Sequence, residues 1–334
     1  MISPYGVFFP SCLYLPLTKS KLMAKKKDTT IGIDYDRFGI RGARMVAEEV
    51  GGDRLTALDA VKEMRGPFDT AEALIEGLAS MRTAIGAGPG ETIVSCVNGK
   101  QVYVAQIPFR RLADDEMRRA LRFELRKKVP FEVAGSTIDY QVLKPASKVG
   151  ETSELLVSVV GNVLLHEHLQ IMEKAGMKPD VVDVIPTAAA NAVRAPLSRG
   201  EEESATRVVV HIGPETTTLV FDGAGPFFTR AFFFDAATFY NTDPTAQPMG
   251  ARQEKLAAFG QEIMRSISYY EKTYRIESFG ELCPVGECIR CPGIVNQLQT
   301  VGLPLHYGRP IQAGGGEAKQ GTFDLAVGLA ARTV

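Results

Sequence analysis

Three cysteines late in the chain have a spacing that is used in metal sites. Cys283, Cys288 and Cys291 form a C-x4-C-x2-C pattern, and cysteine thiolates bind zinc and iron-sulfur clusters. No fourth ligand follows nearby in the sequence, so Cys96 or His306 would have to approach in space. We therefore expect partly buried thiols that bind no metal, with a metal or redox sensor as the alternative.

Two histidines on one predicted helix are also candidates for metal ligands. His166 and His168 are two residues apart, and side chains at that spacing point in different directions from a helix. A shared metal site is therefore not expected, and we interpret both residues as surface residues.

The most charged segment of the chain is residues 110 to 128, which also has the clearest amphipathic pattern. Its acidic residues precede its basic ones, the order that a helix dipole favours. The expected buried face consists of Met117, Leu121 and Leu125. Arg118, Arg122 and Arg126 recur at steps of four, which indicates either a solvated face or a docking stripe for an acidic partner or lipid headgroups.

Two segments have the pattern of strand, glycine-containing turn and strand, and they must position most other candidate residues. Residues 206 to 234 predict a three-stranded meander, because β-branched runs alternate with turns at Gly213 and at residues 222 to 225. Residues 30 to 46 repeat the first part of this plan. The chain is therefore expected to be α/β and to contain two related halves.

Composition excludes several classes of protein. The chain has 334 residues, 45% of them hydrophobic, and a formal net charge of −1. This length predicts about two domains, and the charge argues against a main role in nucleic acid binding. Five cysteines are too few for a disulfide framework, which favours a reducing compartment. No apolar run approaches the roughly 20 residues of a membrane helix.

The first 28 residues do not continue these patterns. An apolar stretch precedes a basic cluster, the reverse of the order in a secretory signal. We expect a disordered or spurious extension with Met23 as the natural start, and a segment that touches the membrane is the alternative.

Several ordered segments together resemble the PilM family of type IV pilus assembly, which is related to FtsA and to the cytosolic half of GspL. They are listed here by number: 32–34, 107–132, 139–143, 154–186, 211–230, 261–271, 292–305 and 324–332. The resemblance implies an actin-like (ribonuclease H-like, duplicated) two-lobed fold. Residues 29–200 would form the first lobe, with an α/β insertion subdomain at about 92–182, and residues 205–334 would form the second.

The resemblance also implies a function. Family members bind the N-terminal cytosolic tail of the inner-membrane protein PilN in a groove formed with the insertion, close to the pilus motor ATPase. It implies a cytoplasmic homo-oligomer, a ring or collar peripheral to the inner membrane. We expect a scaffold that is not an enzyme, and an ATP-binding switch is the alternative.

The resemblance makes ATP and Mg²⁺ possible ligands of a cleft between the lobes. The residues that match the family's nucleotide loops are Asp34, Gly213, Thr216, Thr217 and Gly286. Each loop also departs from the pattern: residues 35–38 are bulky, His211 replaces an acidic residue, and residues 285–289 replace a glycine run. We therefore expect a degenerate cleft that binds nucleotide weakly or not at all.

Overall fold

The computed structural model describes residues 29–50, 53–148, 150–194, 205–240, 249–276, 278–307 and 321–332. The predicted N-terminal extension lies outside these ranges, as does residue 200, the predicted end of the first lobe. Within these ranges, no helix combines the length and the apolar character needed to cross a bilayer.

The strands are, in chain order, β1 Thr29–Asp36, β2 Gly39–Val50, β3 Asp53–Arg65, β4 Thr92–Val97, β5 Val102–Arg110, β6 Ser136–Lys144, β7 Thr152–Gly161, β8 Val181–Val184, β9 Thr206–Ile212, β10 Thr216–Asp222, β11 Phe228–Phe233 and β12 Phe279–Val285. The helices are α1 Ala71–Ile85, α2 Asp114–Leu125, α3 Asn162–Lys174, α4 Ile185–Arg194, α5 Ala237–Tyr240, α6 Met249–Tyr274, α7 Ile294–Gln299 and α8 Asp324–Ala330, with a 3₁₀ turn at Glu287–Arg290.

Two sheets carry the predicted duplication. The first has the order β3-β2-β1-β4-β8, in which β1 to β3 form an antiparallel meander and β4 runs parallel to β1. The second contains β12-β9-β10-β11, in which β9 to β11 form the same meander and β12 runs parallel to β9. The two halves therefore share one strand plan, as the sequence predicted.

Strand β3 was not predicted from the sequence, where only strand, turn and strand were expected over residues 30–46. The register between β2 and β3 shifts, so that Arg44 lies opposite Ala60 while Met45 lies opposite Leu58. The extra residue, Asp59, interrupts the alternation of side chains. A period of two is the main sequence signal for a strand, and the bulge removes it.

The inserted subdomain extends the second sheet. Strands β5, β7 and β6 continue from β11 to give a seven-stranded sheet, and α2 packs on them through Leu121 and Leu125 against Val157 and its neighbours. We propose to restrict the insertion, predicted at about 92–182, to β5 to β7 and α2, because β4 and β8 pair inside the first sheet.

The C-terminal helix α8 fixes the position of the first hairpin. A Cβ atom on Gly32 of β1 would lie 2.0 Å from the carbonyl oxygen of Ala326 in α8. A Cβ atom on Gly328 would lie 2.4 Å from the carbonyl oxygen of Ala188 in α4. Only glycine permits such contacts between backbones. Helix α8 therefore joins β1 to α4, and its Leu325 belongs to a core cluster that contains residues of both sheets.

Candidate functional site

The turn of the first hairpin is stabilised by hydrogen bonds to its own aspartate, Asp36. Asp36 Oδ1 accepts hydrogen bonds from the backbone N–H groups of Phe38 (2.7 Å) and Gly39 (3.1 Å). Asp36 Oδ2 accepts a third from Arg41 Nη2 at 2.7 Å. Backbone amides at such a turn are the groups that bind phosphate in other proteins. Here the Asp36 carboxylate, from the same turn, accepts the hydrogen bonds of these amides.

A buried ion pair lies beneath this turn. Arg41 Nε donates to Asp34 Oδ2 at 2.7 Å, and the side chains are 3% and 7% exposed. Burial raises the pKa of Asp34, and the Arg41 guanidinium offsets only part of that effect. Burial acts to lower the pKa of Arg41, but Asp34 and Asp36 together raise it. The carboxylate predicted to act through Mg²⁺ therefore faces a protein cation.

The second hairpin and the loop after β12 meet at His211. A Cβ atom on Gly213 would lie 3.2 Å from His211 Cε1, and one on Gly286 would lie 3.1 Å from His211 Cδ2. Gly286 has φ +99° and donates its N–H to the carbonyl oxygen of Gly321. The imidazole ring therefore occupies the space beside both glycines. Burial lowers the pKa of His211 to about 4, so the ring is neutral near pH 7.

The paired threonines of the second hairpin do different things. Thr217 is fully buried, and its hydroxyl has no hydrogen-bond partner among the described residues. Thr216 is half-buried and lines a groove that is described below. The two residues that the resemblance assigned to one site therefore face different surroundings.

The first hairpin contacts the second lobe directly. Phe38, in the turn of the first hairpin, packs against the core cluster that contains Ile212 and Cys288. The charges of Asp36 and Arg41 also act on the pKa of His211 across the cleft. The two opening hairpins therefore face each other, and Phe38 bridges them.

A groove opens where the insertion joins the second lobe. Strands β5 and β11 of the described sheet pair at Phe228 and Ala105, and Thr229 Oγ1 donates to the carbonyl oxygen of Val104 at 2.7 Å. Beyond this point, the strands line opposite sides of a cavity of about 420 Å³.

The lining residues of this groove come from the turn before β5, β5 itself, the segment after α2, the start of α4, and strands β10 and β11. They are Asn98, Gly99, Lys100, Val102, Tyr103, Lys128, Pro130, Pro186, Thr216, Thr218, Thr229, Ala231, Phe232 and Phe233. Phe233 is 69% exposed. None of them was predicted for this role from the sequence, where Thr216 was assigned to a nucleotide loop, because no motif marks a place where two strands diverge.

The predicted arginine stripe of α2 is divided in the structure. Arg122 Nη1 donates to the carbonyl oxygens of Val133 (2.7 Å) and Ser136 (3.2 Å), so this guanidinium holds the chain that follows α2. Arg118 and Arg126 are exposed, and the Arg118 guanidinium lies 6.0 Å from the ring centroid of Tyr140. A partner-binding role for the three arginines stays a prediction.

One of the two histidines on α3 is not on the surface, so that prediction was wrong. His166 is exposed, but His168 is 4% exposed. His168 Nδ1 lies 2.7 Å from Tyr35 Oη, and its Nε2 lies 2.8 Å from Ser95 Oγ. The helix packs on the first sheet, and polar partners on β1 and β4 allow a histidine on that face. Burial lowers its pKa to about 4.

His168 should make the fold sensitive to acid. Its pKa is about 4 in the folded chain and about 6.5 in the unfolded chain, so the unfolded chain binds more protons between these values. The contribution of His168 to stability is present above pH 6.5 and is lost as the pH falls towards 4. When the pH falls from 7 to 4.5, the free energy of unfolding drops in both proteins. The drop should be about 2 to 3 kcal/mol smaller in His168→Gln than in the wild type. Urea unfolding at both pH values measures this, and His166→Gln should behave as the wild type.

The late cysteines are divided between two cores. Cys283 packs in the cluster with Val209 and Val285, whereas Cys288 and Cys291 pack in the second-lobe cluster. Burial raises the pKa of Cys283, and a hydrogen bond with Cys291 together with burial raises that of Cys288. Thiols with raised pKa values are poor metal ligands and poor nucleophiles. No group of three or more His, Cys, Asp or Glu residues in the described part of the chain is arranged to hold a metal ion.

Comparison with known proteins identifies the family. The family model described as type IV pilus assembly protein PilM matches residues 58–237, which is more than half of the chain. This chain belongs to the PilM family. No curated protein sequence matches it significantly.

A solved structure agrees with this PilM assignment at the level of the fold. A structure described as a PilM-PilN type IV pilus biogenesis complex is 20% identical, with a TM-score of 0.70, and the match covers 90% of this chain and 97% of that chain. This similarity confirms that the chain has the PilM fold, which is the predicted actin-like one.

Two further structures are more distant. The cytoplasmic domain of EpsL, an inner membrane component of the type II secretion system of Vibrio cholerae, is 15% identical, with a TM-score of 0.43 and coverage of 92% and 96%. A protein of Bacteroides thetaiotaomicron with an actin-like ATPase fold is 9% identical, with a TM-score of 0.41 and coverage of 84% and 91%.

Proposed function

We propose that this PilM-family chain is a cytosolic scaffold of a type IV pilus or a related secretion platform. In this proposal it binds the N-terminal cytosolic tail of a PilN-like inner-membrane protein. The observation that carries the proposal is the groove between β5 and β11, which the insertion forms with the second lobe. The similar solved structure is itself a complex of PilM with PilN, which supports this class of partner.

The groove suits an extended peptide. Where two paired strands diverge, their facing edges keep backbone donors and acceptors that are no longer used between them. An added strand can form its main-chain hydrogen bonds with these edges. Thr229 and Val104 close the groove at one end through their hydrogen bond. Phe233 at the rim supplies exposed apolar surface, and Lys100 and Lys128 supply positive charge. A tail with apolar side chains and an acidic or carbonyl group near the lysines would match this lining.

The proposal also includes a cleft that does not hold Mg-ATP. The residues present do not fit that ligand: the Asp34 carboxylate is paired with Arg41, and the amides of Phe38 and Gly39 donate to Asp36. The His211 ring lies against both glycines of the opposite loops. In this proposal, the chain's own carboxylate and guanidinium satisfy the groups that phosphate and Mg²⁺ would otherwise contact.

Other parts of the family's function also remain proposals for this chain. A peripheral position at the cytosolic face of the inner membrane follows from binding the tail of a membrane protein. Contact with a motor ATPase and assembly into a ring or collar stay predictions.

Calorimetric titration tests the proposed function. The full chain is titrated with a synthetic peptide of the cytosolic tail of the PilN-like protein from the same organism. We expect saturable binding of one peptide per chain, unchanged by millimolar Mg-ATP. Mg-ATP alone should leave the melting temperature unchanged, whereas a ligand present at 100 times its Kd would stabilise by about 2.7 kcal/mol. Folded protein that does not bind the peptide would contradict the scaffold, and stabilisation by Mg-ATP would contradict the closed cleft.

A further inference from the structure

The outward face of α2 is centred on an exposed aromatic ring. Met117, Leu121 and Leu125 pack the helix on the insertion sheet, which leaves Phe123 on the opposite side with 63% of its surface exposed. The Lys127 ammonium lies 5.6 Å from the centroid of that ring.

Basic side chains surround this ring. Arg119 is one helical turn before Phe123 and therefore lies on its side of α2, and Arg126 and Lys127 follow Phe123 by three and four residues in the turn that ends the helix. They are exposed. The predicted stripe of Arg118, Arg122 and Arg126 is therefore replaced on the outward face by a different set, which we name the Phe123 face: Arg119, Phe123, Arg126 and Lys127.

The charge of this region is opposite to that of the rest of the chain. Residues 118–128 contain six basic residues and one acidic residue, Glu124, although the whole chain has a net charge of −1. The remaining residues therefore carry a net charge of −6. Arg122 is engaged with backbone carbonyls, and Lys128 lies 3.8 Å from Glu124. The Phe123 face presents its positive charge outwards.

We propose that the Phe123 face docks the protein on a bilayer that contains anionic lipids. A large apolar side chain ringed by Arg and Lys is the arrangement of interfacial helices, in which the ring enters the headgroup boundary and the cations contact lipid phosphates. An acidic protein segment would neutralise the cations but would leave the protruding ring without an apolar environment. A bilayer surface supplies both.

The position of the Phe123 face agrees with that of the groove. Lys128 is the residue after Lys127, and it lines the groove between β5 and β11. If that groove binds the tail of an inner-membrane protein, as the proposed function requires, the same edge of the molecule would contact the membrane. Lipid binding by α2 would then add to recruitment by the tail.

Vesicle flotation tests the proposal with the full chain and no tail peptide. Vesicles contain either phosphatidylcholine alone or phosphatidylcholine with phosphatidylglycerol. We expect binding only to the anionic vesicles, with affinity that falls as salt rises. The triple variant Arg119→Gln, Arg126→Gln, Lys127→Gln should bind about 100-fold more weakly, at about fivefold per charge. Phe123→Ser should weaken binding about tenfold.

A matched control lies on α6. Tyr269 is an exposed aromatic residue followed one turn later by the exposed Lys272, and the double variant Tyr269→Ser, Lys272→Gln should bind vesicles as the wild type does. Residues 1–28 are present in every variant, so any contribution from them is the same throughout. Circular dichroism checks that each variant folds.

The outcomes separate the alternatives. The proposal is overturned if the wild type does not bind anionic vesicles, if neutral vesicles bind equally well, or if the triple variant binds as the wild type. Binding of poly-glutamate without binding of vesicles would also overturn it, in favour of an acidic protein partner. The Phe123→Ser variant should still bind the tail peptide. A wild type that binds anionic vesicles but does not bind the tail peptide would contradict the proposed function and leave the membrane-docking proposal intact.

Discussion

Replacement of Arg41 by methionine is expected to lower the free energy of unfolding by about 3 to 5 kcal/mol, because it leaves the buried Asp34 without its counter-ion. Arg41 also holds Asp36, so the same change loosens the turn whose amides donate to that carboxylate. The loss should be smaller at pH 5 than at pH 8. Without Arg41, the pKa of Asp34 rises further, so the carboxyl can bind a proton at the lower pH.

Urea unfolding of Arg41→Met measures this loss, and the same hairpin offers a control. Arg37 pairs with Asp69 at 3.1 Å, but both side chains are about half exposed, so Arg37→Met should cost less than about 1 kcal/mol. The double variant Asp34→Asn, Arg41→Met removes both charges and should recover part of the loss. A single variant as stable as the wild type would show that the ion pair does not hold the hairpin.

The second large effect concerns the groove. Ala231 of β11 lies opposite Thr218 of β10, and both line the cavity. Ala231 is exposed, so a tryptophan there should be tolerated by the fold and should project into the groove. We expect Ala231→Trp to weaken binding of the PilN-like tail peptide at least about 100-fold, the scale of a few lost contacts at the centre of an interface.

Ala257→Trp is the matched control, because Ala257 is an exposed alanine on α6, which contributes nothing to the groove lining. This variant should bind the tail with wild-type affinity. The two titrations must be compared at equal folded fraction, judged from thermal melts. If both variants bind the peptide equally, the tail does not bind between β5 and β11.

The fold could be predicted because its signals are local. The β-branched run of β9, the glycine in the turn at Gly213 and the repeat of this plan in residues 30–46 are all readable without knowledge of distant contacts. The helix that carries His166 and His168 was also predicted, and it ends before Gly176, whose φ of +71° is a backbone conformation that favours glycine. By contrast, the bulge at Asp59 hid β3, because it removed the periodicity on which the prediction depended.

The site was less predictable, because its contacts join residues that are far apart in sequence. Bulky residues in the first phosphate loop were predicted from the sequence to disturb it. The hydrogen bonds that Asp36 accepts from the backbone amides of its own turn, and the ion pair of Arg41 with Asp34, could not be predicted. His168 was assigned to the surface because Tyr35 and Ser95, its partners, are 133 and 73 residues away. Phe123 was passed over because attention went to the spacing of the arginines, although the predicted buried face of Met117, Leu121 and Leu125 already left Phe123 on the opposite side of α2.

Hydrogen exchange of the full chain, with and without the tail peptide, tests the central claim most directly. Strand edges that gain main-chain hydrogen bonds from an added strand exchange more slowly. We predict that the peptide slows exchange at residues 100–104 and 229–233 and leaves the turn at 35–38 unchanged. Protection at 35–38 and 286–290 instead, with no change along β5 and β11, would place the tail in the cleft and contradict the account.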